Sequence, residues 1–475
     1  MGMNFAISIV RTLRERGHQA YLVGGCVRDL LLEREPADYD VATDAQPREV
    51  MRIFPETYAV GAQFGVVLVP IPEREREPRP GVSSPLHPGG SASEREPSLF
   101  PGHLHKSCVE VATFRRDVGY SDGRHPDSVR FSRDPREDVE RRDFTINGLL
   151  LDPLEVKVLD FVGGERDLEA GVIRAIGDAA LRFGEDKLRM IRAVRFAARF
   201  EYTIEPGTFA AIQRLAPEIR QVSRERVRDE LTRMLTEGHA RRAFELLDET
   251  RLLGEVLPEI AAMKGVEQPP EFHPEGDVWI HTLLMLERLP PHCPATLAWG
   301  VLLHDVGKPP TFRRAPDRIR FDEHARVGTK MAEEICRRLR FSNHEAEQIS
   351  ALVANHMRFG DVENMKPSTF KKFIRLPRFD EHLELHRLDC ESSHQNLRLY
   401  EFTKEQIRKL PPETVHPAPL VTGDDLIAAG YVPGPQFKEI LAAVEDAQLD
   451  GRLDSRQQAI EFVRREFPME ARLSS

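Results

Sequence analysis

The chain has 475 residues, a formal net charge of −10 and 40% hydrophobic residues, which is too long for one core and near three domains at roughly 150 residues each. Five cysteines (Cys26, Cys108, Cys293, Cys336, Cys390) are scattered with no C-x-x-C spacing, which argues against a disulfide framework or a zinc ribbon and for a reducing cytosol. The first residues carry only a short apolar patch before Arg11, Arg14 and Arg16, so they read as an amphipathic helix and not as a signal peptide or membrane span.

Residues 1 to about 180 alternate short apolar strands, expected at 20–23, 64–71, 109–114 and 156–161, with helices, the pattern of a small mixed sheet with helical cover. Between Ile71 and Cys108 lie seven prolines and the run Glu73-Arg74-Glu75-Arg76-Glu77 with no apolar period, so 72–107 is expected to be a disordered insertion. From Leu181 onward helical patterns replace strands, with breaks near Pro217, Pro269-Pro270 and Pro411-Pro412. The overall acidity hides a local reversal, since 182–242 holds fourteen Lys and Arg against nine Asp and Glu. Such a stripe can follow a phosphate backbone or be an ordinary solvated helix face.

The motifs that carry chemistry come in order. Gly24-Gly25 precedes a short helix, and two residues without Cβ let backbone N–H groups approach a polyphosphate. Nine and eleven residues after Asp29, Asp38 and Asp40 are spaced to point the same way from a strand, so both can share divalent cations. Glu110, in the alternating strand Val109-Glu110-Val111, is a candidate third carboxylate for in-line phosphoryl transfer. Arg141-Arg142-Asp143-Phe144-Thr145-Ile146-Asn147 offers guanidinium groups suited to phosphate and a carboxylate suited to a ribose hydroxyl. Asp186 and Arg189, at i,i+3, are expected on one helix face. An acceptor beside a donor there matches the pairing edges of adenine and cytosine and leaves guanine and uracil with unpaired groups.

Taken together, Gly24-Gly25-x-Val27-Arg28-Asp29, Asp38-x-Asp40, Glu110 to Arg115, Arg141 to Asn147 and Glu185-Asp186-x-x-Arg189 resemble the ordered motifs of class II CCA-adding tRNA nucleotidyltransferases and bacterial poly(A) polymerases. The resemblance implies an α+β chain: a polymerase-β-like head at 1–180, a helical neck at 181–268, a helical body at 269–400 and a helical tail at 401–475. It implies magnesium binding by Asp38 and Asp40 with Glu110 as third carboxylate. It also implies triphosphate or sugar contacts from Gly24, Gly25, Arg28, Arg142, Asp143, Arg192 and Arg195, and base selection by Asp186 and Arg189. The stretch from Asp117 to Pro126, with Tyr120, Asp122, Arg124 and His125, resembles the family's mobile loop for switching from C to A addition, and is equally a plain connection.

In the body, His281, the adjacent His304-Asp305, His324, His356 and Asp389 follow the order H, HD, H, H, D, which resembles the HD phosphohydrolase superfamily. The types suit a second divalent metal, with His281, His304, Asp305 and Asp389 as its ligands. Gly430-Tyr431-Val432-Pro433-Gly434-Pro435 opens a helix that could meet a phosphate or be a plain helix start. The expected activity is addition of C and A from CTP and ATP to the 3′ end of tRNA, in the cytoplasm and without a membrane. The alternatives are poly(A) or A-only addition and, from a different class, hydrolysis at the HD site.

Overall fold

The computed structural model of the protein describes residues 2–59, 64–72, 108–119, 128–271, 273–316 and 318–468. Apart from Pro72 the expected insertion lies outside these residues, and so does 120–127, with Tyr120, Asp122, Arg124 and His125. The chain divides into two compact units, Met1–Glu230 with Arg242–Val256, and Leu231–Arg241 with Leu257–Ser475.

The first unit opens with helix α1 (Gly2–Glu15), whose Ala6, Ile9, Val10 and Leu13 recur at helical spacing and are buried against β1 (Ala20–Val23). Helix α2 (Gly25–Leu31) follows at once, and then β2 (Asp40–Thr43), helix α3 (Pro47–Ile53), β3 (Val66–Pro70) and β4 (Cys108–Thr113). A separate hairpin, β5 (Arg115–Val118) with β6 (Ser128–Phe131), precedes helix α4 (Pro135–Glu140), β7 (Leu149–Asp152) and β8 (Lys157–Asp160).

The six-stranded sheet has the order β3-β4-β2-β1-β7-β8. Only β2 and β4 run parallel in it, with Asp40 opposite Glu110 and Val41 opposite Val111. Parallel register needs a long connection between the two strands, and the chain supplies it by crossing through α3 and β3. Val23, Ala42, Phe114, Val139 and Leu150 form a buried apolar cluster of this sheet and the segments packed on it. Helices α5 (Gly164–Glu169), α6 (Ala179–Glu185), α7 (Leu188–Phe200), α8 (Pro206–Leu215) and α9 (Arg224–Thr236) follow the sheet. Two small ladders, Val172–Ile173 with Thr203–Ile204 and Arg313–Arg314 with Ile319–Arg320, correct the expectation that strands end before Leu181.

The second unit is helical around fully buried Trp299, whose Nε1–H donates to Thr232 Oγ1 at 2.9 Å. Helices Val278–Glu287, Ala295–Leu303, His324–Arg338, Asn343–Asn355 and Phe379–Ser392 pack together. Gly307 sits where a Cβ would lie 2.1 Å from the His324 carbonyl oxygen and 2.6 Å from Gly328 N. Only glycine lets the turn after His304-Asp305 close onto the first turn of helix His324–Arg338. The tail has its own core, with Leu426, Ile440, Val444 and Val463 around Tyr431. Tyr431 of the Gly-Tyr-Val-Pro segment is buried there, and its hydroxyl donates to Phe467 O at 2.8 Å.

Candidate active site and metal centre

In the first unit the parallel register brings Asp40 and Glu110 side by side at the strand edge. Asp38 lies in the bend just before β2 and is exposed, so the two aspartates share a strand end and not a full strand. Burial and then the neighbouring Glu110 and Asp38 push the Asp40 carboxyl up to about 7, while Arg142 pulls it the other way. Carboxylates crowded until one prefers its proton are relieved by a divalent cation, and this donor set of hard oxygens fits magnesium.

Gly24 has φ +76, and a Cβ on it would come within 3.2 Å of Arg142 Nη1, so the turn brings backbone close to that guanidinium. Arg142 is aimed by buried Asp138, whose Oδ2 accepts from Nη2 at 2.9 Å, while Arg141 takes Oδ1 of the same carboxylate. Burial acts upward on Asp138, but the two arginines outweigh it and hold the group below the ordinary carboxylate range. Asp143 accepts from Arg192 Nε and Nη2 at 3.0 and 2.8 Å and from Asn147 Nδ2 at 3.0 Å. These bonds overcome its burial and bring it to about 2.

The structure places two of the expected phosphate arginines elsewhere. Arg28 is buried, donates to Asp29 Oδ1 and to Asn147 Oδ1 at 2.6 Å, and stacks over Phe200. Arg195 is buried against Glu230 of α9, Nε to Oε2 2.7 Å, and lies over Phe196. Both brace the walls of the site because an unpaired guanidinium in such surroundings would be costly.

Asp186 and Arg189 also differ from expectation, since they do not share a helix face. Asp186 ends α6 in extended backbone and caps the next turn, accepting from Leu188 N at 3.0 Å. A short acidic side chain competes for free N–H groups at a helix start, which splits the expected single helix in two. Asp186 pairs with Arg226 of α9 at 2.8 Å, and Arg189 pairs with Glu185 at 2.7 Å and donates to Arg141 O at 2.9 Å. Arg226, Glu230 and Asp138 were missed by the sequence reading. The string Arg224-Glu225-Arg226 was visible in it, but only as part of a basic stripe.

In the second unit the residues expected of an HD site converge. His281 Nε2 lies 3.2 Å from Asp389 Oδ1, and His304 Nε2 lies 3.1 Å from Asp305 Oδ2. His324 Nε2 and His356 Nε2 face each other at 3.2 Å, at 3.7 and 3.8 Å from Asp305 Oδ1. His304, His324 and His356 each set Nδ1 against a backbone carbonyl, of Val301, Phe321 and Val353. With Nδ1 donating, Nε2 carries the lone pair, so the His324 and His356 lone pairs oppose each other, an arrangement that a proton or a metal ion between them relieves. The Nε2 atoms of His281 and His304 are buried without a hydrogen-bond donor or acceptor in bonding geometry, as metal-ligating atoms are before the site is loaded. Burial drives His356 down to about 3, which keeps it neutral and ready to ligate. Lys308 Nζ sits 2.7 Å from Asp305 Oδ2 and 2.5 Å from Gln268 Oε1.

A mixed sheet with carboxylates gathered beside a Gly-Gly turn, followed by a long helical region, has the arrangement of a polymerase-β-like nucleotidyltransferase head, and such a head implies a divalent metal. Family models agree along the chain: "Poly A polymerase head domain" matches residues 20–77 and 90–174, "Probable RNA and SrmB- binding site of polymerase A" matches 201–264, and "tRNA nucleotidyltransferase domain 2 putative" matches 324–463.

Among relatives, the chain is 35% identical to the CCA-adding enzyme of Lactobacillus helveticus over 59% of this chain and 63% of that one. It is 39% identical to that of Geobacillus thermodenitrificans over 52% and 53%. The chain therefore spans less than two thirds of the length of these curated relatives. The crystal structure of the Bacillus stearothermophilus CCA-adding enzyme in complex with CTP aligns over 97% of each chain at 26% identity and a TM-score of 0.69. The Thermotoga maritima CCA-adding enzyme complexed with tRNA aligns at 19% identity with a TM-score of 0.54, a likeness of fold. Head, neck and tail are thus each similar to parts of class II CCA-adding enzymes and poly(A) polymerases.

Proposed function

We propose that the protein adds C and A from CTP and ATP to the 3′ end of tRNA. The observation that carries this reading is the parallel pairing of Asp40 with Glu110, which puts two carboxylates at one strand edge beside Arg142 and the Gly24 turn. Magnesium held by Asp38, Asp40 and Glu110 would supply charge neutralisation at the attacking and leaving oxygens. Arg142 and Arg192 bind the triphosphate, the N–H group of Gly25 borders it while that of Gly24 donates to Leu149 O, and Asp143 faces the sugar. Arg28 and Arg195 act from behind, by fixing Asn147 and α9. The RNA 3′-hydroxyl attacks the α-phosphate, its P–O bond forms as the bond to pyrophosphate breaks, and the hydroxyl proton leaves to solvent. Asp186 accepts from the exocyclic amino group and Arg189 donates to the ring nitrogen, a pattern shared by cytosine and adenine.

No helix among the described residues is long and apolar enough to cross a membrane, and all five cysteines are free thiols, which supports the cytosol as the place of action. The test is extension of tRNA lacking its terminal residues with CTP, with ATP, and with both. Growth by C, C and A only when both are present is expected, and homopolymer growth on ATP alone would assign poly(A) addition instead. Asp40→Ala should lower addition by at least about a thousandfold.

A second activity is favoured by the opposed His324 and His356 lone pairs: metal-dependent hydrolysis of a phosphoester in the body. Bound there, a divalent metal would supply an activated water. Lys308, Arg318 and Arg320 line the adjoining cavity of about 410 Å³ with the positive charge a phosphate needs.

A further inference from the structure

Four histidines ring the body's metal centre, and one is oriented differently. His304, His324 and His356 point Nδ1 at backbone carbonyls, whereas His281 Nδ1 lies 2.8 Å from Glu275 Oε1. The same oxygen lies 2.9 Å from His273 Nδ1, and the two imidazoles meet edge to face at 4.9 Å. The turn holding this carboxylate is fixed at both ends. Gly276, at φ +79, donates to His273 O, Gln268 N donates to Gly276 O, and Asp277 caps the following helix through Ile280 N at 3.0 Å. The Glu275 side chain is 6% exposed, so its charge acts in a low-dielectric setting with the imidazoles as its contacts.

A carboxylate oxygen 2.8 Å from Nδ1 favours the proton on that nitrogen and leaves the lone pair on Nε2, which lies 3.2 Å from Asp389 Oδ1. A carboxylate acceptor does this more strongly than a carbonyl and makes the ring a better donor to a metal. His273 lines the 410 Å³ cavity with Lys308, Phe321 and Asp389, so one oxygen ties a ligand of the centre to a residue at its mouth.

We infer that Glu275 is the positioning residue of the body's metal centre, fixing His281 as an Nε2 ligand and holding His273 at the mouth of the cavity. This rests on the reading of that centre as a metal site. The competing assignment makes His273, Glu275 and His281 joint ligands of a separate ion, since their donor atoms also lie close together.

Cobalt(II) separates these outcomes when the full chain, stripped with chelator and carrying Asp40→Ala to silence the head, is titrated and followed by absorption. Glu275→Gln keeps the shape and removes the charge; it should weaken cobalt binding about 10- to 100-fold with the stoichiometry retained. Glu275→Asp keeps the charge but draws it back, and should give a smaller loss. His273→Ala should stay within about threefold of the parent. Parent-like affinity in both Glu275 variants would overturn the inference, and so would a loss in His273→Ala as large as that in Glu275→Gln. A parent that takes up no more cobalt than Asp305→Ala would instead sink the metal-site reading itself. Far-UV circular dichroism on each variant checks that the fold is kept.

Discussion

Asp186 shows how a single side chain changes meaning between sequence and structure. The spacing to Arg189 suggests two partners on one face, yet Asp186 caps a turn and is held by Arg226 from another helix, at 2.8 Å. A carboxylate that selects a base by one lone pair must not rotate, because rotation would let it meet the wrong edge. Arg226→Ala should therefore raise incorporation of GTP and UTP relative to CTP by about tenfold, the worth of one charge-assisted hydrogen bond, while the CTP rate falls less. Single-turnover extension with each nucleotide measures it, and unchanged selectivity would mean that Asp186 is held by other means. The residues themselves were legible because five short motifs stood in order. Their supporting partners were not, because Arg226 and Glu230 act across 40 and 35 residues of chain, and Asp138, only four residues before Arg142, reads locally as a surface ion pair on a helix.

Elements were legible where apolar period and length agreed, as at β1, β3, β4 and β8. Strand β7, Leu149–Asp152, was missed because an apolar run buried on both sides has no alternation, and the β5–β6 hairpin was missed because its residues are mostly charged or polar. Helix Phe379–Ser392 carries a chemistry that its pattern hides. Beside Asp389 it buries His382 and His386, the latter stacked on Phe359 at 4.3 Å. Burial lowers both to about 4, with Arg358 adding to the effect at His382. A folded-state value below the unfolded 6.5 means that the unfolded chain takes up the protons first, so stability is present above about 6.5 and is lost as pH falls toward 4. Melting temperature should drop by several degrees between pH 7 and pH 5, and the paired substitution His382→Gln, His386→Gln should flatten that slope. An equal slope in the variant would assign the acid sensitivity to other groups.

At the scale of the whole molecule, two sites of different chemistry sit in two compact units. Asp38, Asp40 and Glu110 bring hard carboxylate oxygens together in the first, and His281, His304, Asp305, His324 and His356, with Asp389 beside His281, bring nitrogen and oxygen together in the second. The order of motifs singled out the residues that the fold gathers into these two clusters, but it did not give the number of units. Proline breaks near 217 and 269 suggest separate neck and body domains, while the chain after Glu230 joins the second unit and Arg242–Val256 returns to the first. Sequence breaks mark where helices end, and packing decides which helices share a core. A metal that binds only the folded second unit must stabilise that unit by mass action, by about 2.7 kcal/mol at a hundredfold excess over its dissociation constant. For a unit of this size that is a rise of roughly 5–10 °C in melting temperature. Asp40→Ala should keep the rise produced by cobalt(II), because its loss is confined to the head, and Asp305→Ala should abolish it. The same rise in Asp305→Ala would place the stabilising ion outside the histidine cluster and leave the opposed lone pairs of His324 and His356 without their cation.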